Sequence, residues 1–192
     1  MIGRRSALKA IFMLISALVS YLFIYKWINI ISNPNLSLLH KKKSLIAEIA
    51  EIMIPRTETP GAKDVKVEDF ILGMIEFCTD IKTQNSFING LERFELHCLN
   101  NYHHSFLKCS HQEQIQILTY FEKDAKFRYN IINKINNKIL GKPFIVKFKE
   151  LAVEGYCTSK LGATIGLAYD YLPVRYDGCV ILQQNQKSWA TR

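Results

Sequence analysis

The sequence predicts an all-α protein: an irregular helical bundle with a long irregular C-terminal tail, preceded by an N-terminal membrane or export helix. Three observations predict this class. Apolar residues recur three and four positions apart through most of the chain, which is the spacing of one buried helix face. No alternation of apolar and polar residues is long enough to propose a sheet. An uncharged apolar run follows the first few residues.

Residues 1–32 are predicted to form a twin-arginine-type signal or signal anchor. Arg4 and Arg5 directly precede the apolar run, within a segment that also contains Leu8 and Lys9. The run is long for a signal peptide, and it can span a membrane if it extends past Lys26. Because no convincing cleavage site follows, we favour an uncleaved anchor. In the alternative, the arginine pair only follows the positive-inside rule for an ordinary anchor.

Residues 33–43 are predicted to be a linker and residues 44–192 one helical domain, since about 150 residues suffice for a single core. The formal net charge of +8 is scattered rather than arranged in a stripe, so we expect no nucleic-acid partner. The basic run at residues 41–43 is expected to be a solvated linker or a membrane-surface contact. Five cysteines in an exported chain leave at least one thiol free or paired to another molecule.

The first helix of the domain is predicted over residues 44–54, with its apolar residues on one face. Pro55 ends it, because proline disfavours helical conformation in the residue before it. Residues 57–63 then form a loop. Its Thr-Pro-Gly sequence combines the fixed φ of Pro60 with the positive φ that Gly61 permits, which is typical of a turn.

Two further helices are predicted over residues 67–81 and 86–99. Each has apolar residues three and four positions apart. The predicted inner faces carry Phe70, Ile71, Met74, Ile75 and Cys78 in the former helix and Phe87, Leu91, Phe94, Leu96 and Cys98 in the latter.

Ser110 and Glu113 form a capping-box pattern that predicts the start of another helix. Its inner face is predicted to carry Ile115, Leu118, Phe121 and Ala125. Residues 127–140 continue the helical pattern until a Gly-Lys-Pro sequence ends it, and the last long helix is predicted over residues 144–156. Its inner face is predicted to contain Phe144, Phe148, Leu151 and Ala152.

The tail beyond Gly162 is rich in Gly, Tyr, Asp and Pro and loses helical periodicity after Tyr169. Long irregular segments in compact domains are uncommon and often functional. The tail carries residue types that are enriched in protein interfaces, so we expect it to bind a partner. In the alternative, the tail wraps the bundle and buries its rings. The residues concerned are Tyr169, Tyr171, Arg175, Tyr176 and Trp189.

A group of histidines and cysteines between residues 97 and 111 contains ligand types for zinc or copper. Its spacing fits no standard ligand pair, so no metal site is predicted. A disulfide between Cys98 and Cys109 is favoured instead in an oxidising compartment, although the sequence leaves the connectivity open. The chain contains no phosphate-binding loop, dinucleotide fingerprint or haem-attachment motif, so we expect no cofactor and no catalytic residue in it. The group comprises His97, Cys98, His103, His104, Cys109 and His111.

Three segments together resemble the small subunit (subunit 3) family of membrane-bound gluconate 2-dehydrogenase. One is a Thr-Pro-Gly-Ala loop at residues 59–62, one is a Gly-Tyr-x-Thr-Ser element at residues 155–159, and the third is an Arg-Tyr-Asp-x-Cys element at residues 175–179 with a late Trp-Ala-Thr. The resemblance covers the chain from about residue 45 to residue 191. Cys157 departs from the family, which usually has an aromatic residue there.

The resemblance implies a helical, cofactor-free partner of a flavoprotein dehydrogenase of the glucose-methanol-choline type. FAD lies in that large subunit, and electrons pass from it to a cytochrome c. The large subunit leaves the cytoplasm together with the small subunit through the twin-arginine translocase, which places both on the periplasmic side of the inner membrane. The interface with the large subunit is then predicted to include Gly155, Tyr156, Thr158, Ser159, Arg175, Tyr176, Asp177, Cys179 and Trp189.

Cys179 is the candidate for an inter-subunit disulfide, because it lies in the irregular tail whereas Cys78 is expected on a buried helix face. A small buried core residue is the alternative for Cys179. Two other functions stay open for the whole chain. One is a membrane-anchored helical interaction or scaffold protein of the cell envelope without a dehydrogenase partner, and the other is a metal-dependent helical enzyme that uses the histidine cluster.

Overall fold

The computed structural model describes residues 11–21, 24–25, 32–125, 142–171, 179, 181 and 184–190. Regular secondary structure within these ranges is helical, which confirms the predicted all-α class. The only β-type pairing in the described part of the chain is an isolated bridge between Ala168 and Trp189.

Six α-helices and two short helical turns form the described domain. The helices pack around α6, which contacts α3, α4 and α5, while α2 packs against α3. The elements in chain order are α1 Leu36–Lys41, α2 Lys43–Met53, α3 Val67–Cys78, α4 Ile81–Tyr102, a 3-10 turn Phe106–Lys108, α5 His111–Ala125, α6 Phe144–Thr158 and a π-helical turn Gly162–Gly166.

A cluster of phenylalanines forms the centre of the core, where α4, α5 and α6 meet. Phe87 stacks on Phe148 with ring centroids 6.1 Å apart, and Phe94 lies 4.9 Å from Phe121. Phe144 packs edge-on against Phe87 at 5.1 Å. Aromatic pairs at these separations contribute about 0.5–1.5 kcal/mol each beyond the burial of their area. The rings therefore fix how the three helices pack.

Residues 36–41, which fall in the predicted linker, form helix α1. Leu39 is fully buried in the domain core, and Leu36 and Leu38 pack against that core. The Asn85 side chain also donates a hydrogen bond to the Ser32 carbonyl at 2.5 Å, which ties this segment to α4. The packed domain thus begins several residues before residue 44, because three leucines precede the basic run.

The boundary between the helices predicted over residues 67–81 and 86–99 lies earlier in the chain in the structure. Helix α3 ends at Cys78, and α4 begins at Ile81 after Asp80 accepts a hydrogen bond from the Thr83 backbone N–H. The Gln84 side chain donates to the carbonyls at the end of α3, at 3.0 Å from the Ile75 oxygen. The predicted boundary between the two helices was wrong here, because the Asp80 cap starts α4 five residues before the predicted start at residue 86.

Most predicted inner-face residues are buried or half-buried, with three exceptions. Cys78, Leu96 and Ile115 are exposed, so their predicted burial was wrong. Cys78 is the last residue of α3, and Leu96 and Ile115 lie on helix faces opposite the residues that α4 and α5 bury. In α5 the buried position is taken by Ile117 instead.

The remaining boundaries follow the sequence closely. The Ser110 backbone N–H donates to Glu113 Oε2 at 2.7 Å, and the Glu113 N–H donates to Ser110 Oγ at 3.4 Å, which confirms the capping box. Helix α6 extends two residues beyond the predicted end. The helix predicted over residues 127–140 lies outside the described residues.

The N-terminal segment is described only in part. Residues 11–21 are helical and exposed, and Arg4, Arg5, Leu8 and Lys9 lie outside the described residues. Within the ranges that the structure describes, no helix has the length and apolarity needed to cross a membrane.

Candidate partner-binding surface

The Thr-Pro-Gly-Ala loop is held by two carboxylates. Glu51, near the end of α2, accepts hydrogen bonds from the backbone N–H groups of Arg56 at 3.2 Å and Lys63 at 2.9 Å. Asp64 accepts from the Gly61 N–H at 2.9 Å. A Cβ on Gly61 would lie 2.5 Å from a Glu51 carboxylate oxygen, so glycine is required where the carboxylate approaches the backbone. The loop therefore has one conformation that α2 fixes.

Tyr156 joins this loop to α6. Its hydroxyl donates a hydrogen bond to the Pro60 carbonyl at 2.9 Å, and the side chain is only 8% exposed. Gly155 lies against Phe70 of α3, whose Cδ1 would be 2.7 Å from a Cβ at that position. Gly166 lies against the Tyr156 ring in the same way. Both Gly155 and Tyr156, which the sequence placed in the partner interface, thus make their contacts inside their own chain.

The end of α6 is shaped by Ser159. Its hydroxyl donates to the Tyr156 carbonyl at 2.7 Å and accepts from the Gly162 backbone N–H at 3.0 Å. A Cβ on Gly162 would lie 1.9 Å from the Tyr156 carbonyl oxygen, so no other residue fits without a backbone shift. Thr158 is exposed, and its hydroxyl donates to the Glu154 carbonyl at 2.7 Å. The Gly-Tyr-x-Thr-Ser element therefore turns the chain into the π-helical turn.

The late Trp-Ala segment is bound to this turn. The Ala168 N–H donates to the Ser188 carbonyl at 2.8 Å, and the Ala190 N–H donates to the Ala168 carbonyl at 2.8 Å. Lys187 donates from Nζ to the Ile165 carbonyl at 2.5 Å. Two distant parts of the tail are thereby held together next to the end of α6.

The apolar side chains on these segments face solvent. Tyr171 is 84% exposed, Ile181 89% and Trp189 55%. The alternative, in which the tail buries its rings against the bundle, therefore does not hold for Tyr171 and Trp189. Exposed apolar and aromatic side chains on and near an ordered bridge are typical of an interaction site. We define the C-terminal apolar surface as Leu161, Ile165, Tyr169, Tyr171, Ile181 and Trp189.

The predicted interface residues divide into three groups. Thr158, Cys179 and Trp189 are exposed, and Cys179 carries a free thiol. Gly155, Tyr156 and Ser159 shape the backbone that carries this surface. Arg175, Tyr176 and Asp177 lie outside the described residues. Sequence reasoning missed Leu161, Ile165 and Ile181. Only Ile181 lies in the part of the tail without helical periodicity, which was a signal that it is not a core residue.

We predict that Tyr156→Phe lowers the free energy of unfolding by about 1 kcal/mol, because it removes the hydrogen bond to Pro60 while leaving the ring in place. Urea denaturation of the full chain measures the effect. Tyr120→Phe is the matched control, since the Tyr120 ring is half-exposed and its hydroxyl has no hydrogen-bond partner among the described residues. Equal stability of the two variants would contradict a structural role for the Tyr156 hydroxyl.

The histidine and cysteine cluster is only partly assembled. Cys98 and Cys109 are both buried free thiols, so the predicted disulfide between them is not formed in this structure. Burial, followed by the neighbouring Cys109, raises the pKa of Cys98 to about 12. His97 stacks on Tyr120 with ring centroids 4.4 Å apart. Potential metal ligand atoms of His104, Cys109 and Glu113 lie within 4.8 Å of one another.

Three comparisons bear on the identity of the chain. The family model described as gluconate 2-dehydrogenase subunit 3 matches residues 40–178. No curated protein and no solved structure matches the chain. The matched region contains the Thr-Pro-Gly-Ala loop, all of α6 and the turn after it, which are the segments that converge at Tyr156. Since the family model covers well over half of the sequence, this chain belongs to the gluconate 2-dehydrogenase subunit 3 family.

Proposed function

We propose that the chain is the non-catalytic small subunit of a membrane-associated, FAD-dependent sugar or polyol dehydrogenase complex of the glucose-methanol-choline type, such as gluconate 2-dehydrogenase. The family match over residues 40–178 carries the proposal. In it the small subunit assists the export, folding and stability of the flavoprotein subunit. FAD and the catalytic groups belong to that partner, and a cytochrome c subunit accepts its electrons.

The C-terminal apolar surface supports contact with the flavoprotein. Exposed aromatic rings lose little conformational entropy on binding and bury large areas, which is why tyrosine and tryptophan are enriched at binding hot spots. Trp189 forms the bridge with Ala168, and Tyr169 directly follows Ala168. The backbone of both aromatic residues is therefore ordered without a partner. The free and exposed Cys179 thiol is available for a bond to the partner.

Export by the twin-arginine route places the complex on the periplasmic side of the inner membrane. The arginine pair at residues 4 and 5 motivates this part of the proposal, because the translocase recognises such a pair as an address. A flavoprotein without its own signal would be carried out in the folded state, with its FAD, by binding to this chain. The apolar run after the arginines would keep the complex at the membrane.

Co-purification tests the proposal. We expect the tagged full-length chain to retain a dehydrogenase with a flavin absorbance spectrum. Cys179→Ser should lower the retained flavoprotein and remove a disulfide-linked species from the non-reduced complex, because an unpaired thiol in an oxidising compartment favours an intermolecular bond. Cys78→Ser is the matched control, since Cys78 is also an exposed free thiol but lies at the end of α3.

The outcomes separate the two levels of the proposal. A free Cys179 thiol in an intact complex, with unchanged retention in Cys179→Ser, would remove the covalent bond and leave the subunit role in place. A chain that is exported and stable but retains no flavoprotein would contradict the subunit role. That result would instead favour a scaffold protein of the cell envelope.

A further inference from the structure

The connection between α4 and α5 brings three metal-ligating side chains together. Helix α4 ends at Tyr102, and His103 then adopts a left-handed conformation with φ of 60°. Non-glycine residues are uncommon in this region, and here the left-handed residue ends the helix directly before His104. Cys109 follows the 3-10 turn, and Glu113 lies in the first turn of α5. The three side chains thus come from three different local structures.

Ligand atoms of the three side chains lie within 4.8 Å of one another. Donors around a tetrahedral zinc ion lie roughly 3–4 Å apart, given bond lengths of about 2.0–2.3 Å, so a small contraction suffices. His104 Nδ1 is buried and has no hydrogen-bond partner in the described part of the chain. A buried polar atom without a partner costs free energy, and a cation that accepts its lone pair would remove that cost.

The surrounding contacts hold these donors in place. Glu113 Oε2 accepts hydrogen bonds from the Ser110 N–H at 2.7 Å and from Ser110 Oγ at 2.8 Å, which orients the carboxylate and leaves Oε1 for another partner. The Gln114 side chain donates to the Phe106 carbonyl at 3.1 Å, and Phe106 is buried in the core. The loop is therefore anchored on both sides of Cys109, and ordered supporting contacts of this kind strengthen metal binding.

We propose that His104, Cys109 and Glu113 form a binding site for a divalent transition-metal cation of the zinc class, with a fourth position open to solvent. A nitrogen, a thiolate sulfur and a carboxylate oxygen are the three donor types that zinc uses in proteins. His104 and Glu113 are half-exposed, which gives the hydrated cation access. Cys109 Sγ loses its proton to solvent when the metal–sulfur bond forms, and the hydrated cation releases waters until three protein donors and one solvent molecule complete a four-coordinate shell.

The bound cation would clip the end of α4 to the start of α5. The proposed metal site is independent of the proposed partner role, because the C-terminal apolar surface lies on other segments. The sequence does not predict the site, because the spacing of the three residues fits no standard metal-binding motif and Glu113 matches the pattern of a helix cap. Cys98, His103, His111 and His97 belong to the same sequence cluster but not to this group of ligand atoms.

Cobalt substitution tests the site in the purified full-length chain. We expect stoichiometric binding of Co²⁺, a sulfur-to-metal charge-transfer band and a rise in melting temperature with added Zn²⁺. Cys109→Ser should abolish the band and lower zinc affinity at least 100-fold, by analogy with the roughly 10–100-fold cost of losing a mere supporting contact. Cys157→Ser, which changes a half-buried thiol on α6, is the matched control and should keep both signals.

His104→Gln provides a second variant, because this half-exposed side chain can be replaced with little effect on packing. The variant should also lose zinc binding, and its circular dichroism spectrum should show that the fold is unchanged. Two results would overturn the proposal. One is a Co²⁺ complex without a sulfur band, or with a band that survives Cys109→Ser. The other is a Cys98–Cys109 disulfide in non-reduced protein isolated from its native compartment, since that bond would consume the ligand thiol.

Discussion

Gly90→Ala is expected to lower the free energy of unfolding by about 3 kcal/mol, at the upper end of the usual cost of overpacking a core. Gly90 lies on α4 where that helix meets the start of α6. A Cβ there would lie 2.2 Å from the Phe144 Cβ and 2.6 Å from its Cγ. Phe144 cannot move away, because its ring packs against Phe87 at 5.1 Å and Phe148 at 5.6 Å.

Gly73→Ala is the matched control for this substitution. Gly73 also lies within a helix, α3, but a Cβ there would meet nothing within 4 Å. Alanine should therefore raise the free energy of unfolding by about 0.5–1 kcal/mol, which is the difference in helix propensity between the two residues. Urea denaturation followed by circular dichroism measures both variants. A stabilising Gly90→Ala would show that α4 and α6 do not approach as closely as described.

The double substitution Arg4→Lys and Arg5→Lys is expected to stop export almost completely. Lysine keeps both positive charges, so a signal that only follows the positive-inside rule would still work. The twin-arginine translocase reads the arginine pair itself, so under the proposed route the variant should strand this chain and the proposed flavoprotein partner in the cytoplasm. The substitution thus separates the two interpretations of the N-terminal segment.

Cell fractionation and periplasmic dehydrogenase activity measure this effect. Lys41→Arg is a suitable control, because it exchanges the same residue types at an exposed position outside the signal. The membrane fraction of the control, washed with carbonate, also reports whether the chain stays anchored. Normal periplasmic activity in the double lysine variant would refute the twin-arginine route.

The helices were predictable because their signals are local. Apolar spacing, Pro55 and the Ser110–Glu113 capping box act within a few residues, and the structure contains the helices that they predict. The division between buried and exposed motif residues was not predictable in this way. Whether Tyr156 faces a partner or its own chain depends on Pro60, which lies 96 residues away. Contacts across such separations leave no periodicity in the sequence.

The candidate metal site was also not predictable from local sequence signals. Glu113 satisfies a strong local rule as a helix cap, so the sequence alone does not group it with Cys109 as a metal ligand. The left-handed residue His103 ends α4 directly before His104. Histidine is enriched in this conformation, but most histidines do not adopt it, so the sequence does not predict it. Left-handed conformations of this kind are set by tertiary packing, which overrides local propensity.

The position of α6 at the centre of the bundle has a consequence for the order of folding. Helix α3 and the Thr-Pro-Gly-Ala loop leave the ribosome long before the helix that covers them, and the late Trp-Ala segment follows later still. Contacts with high sequence separation slow folding, because a long loop must close before they form. The apolar residues of the N-terminal half of the domain therefore stay exposed to solvent until α6 has been synthesised. Apolar surface that is exposed in that interval favours chaperone binding.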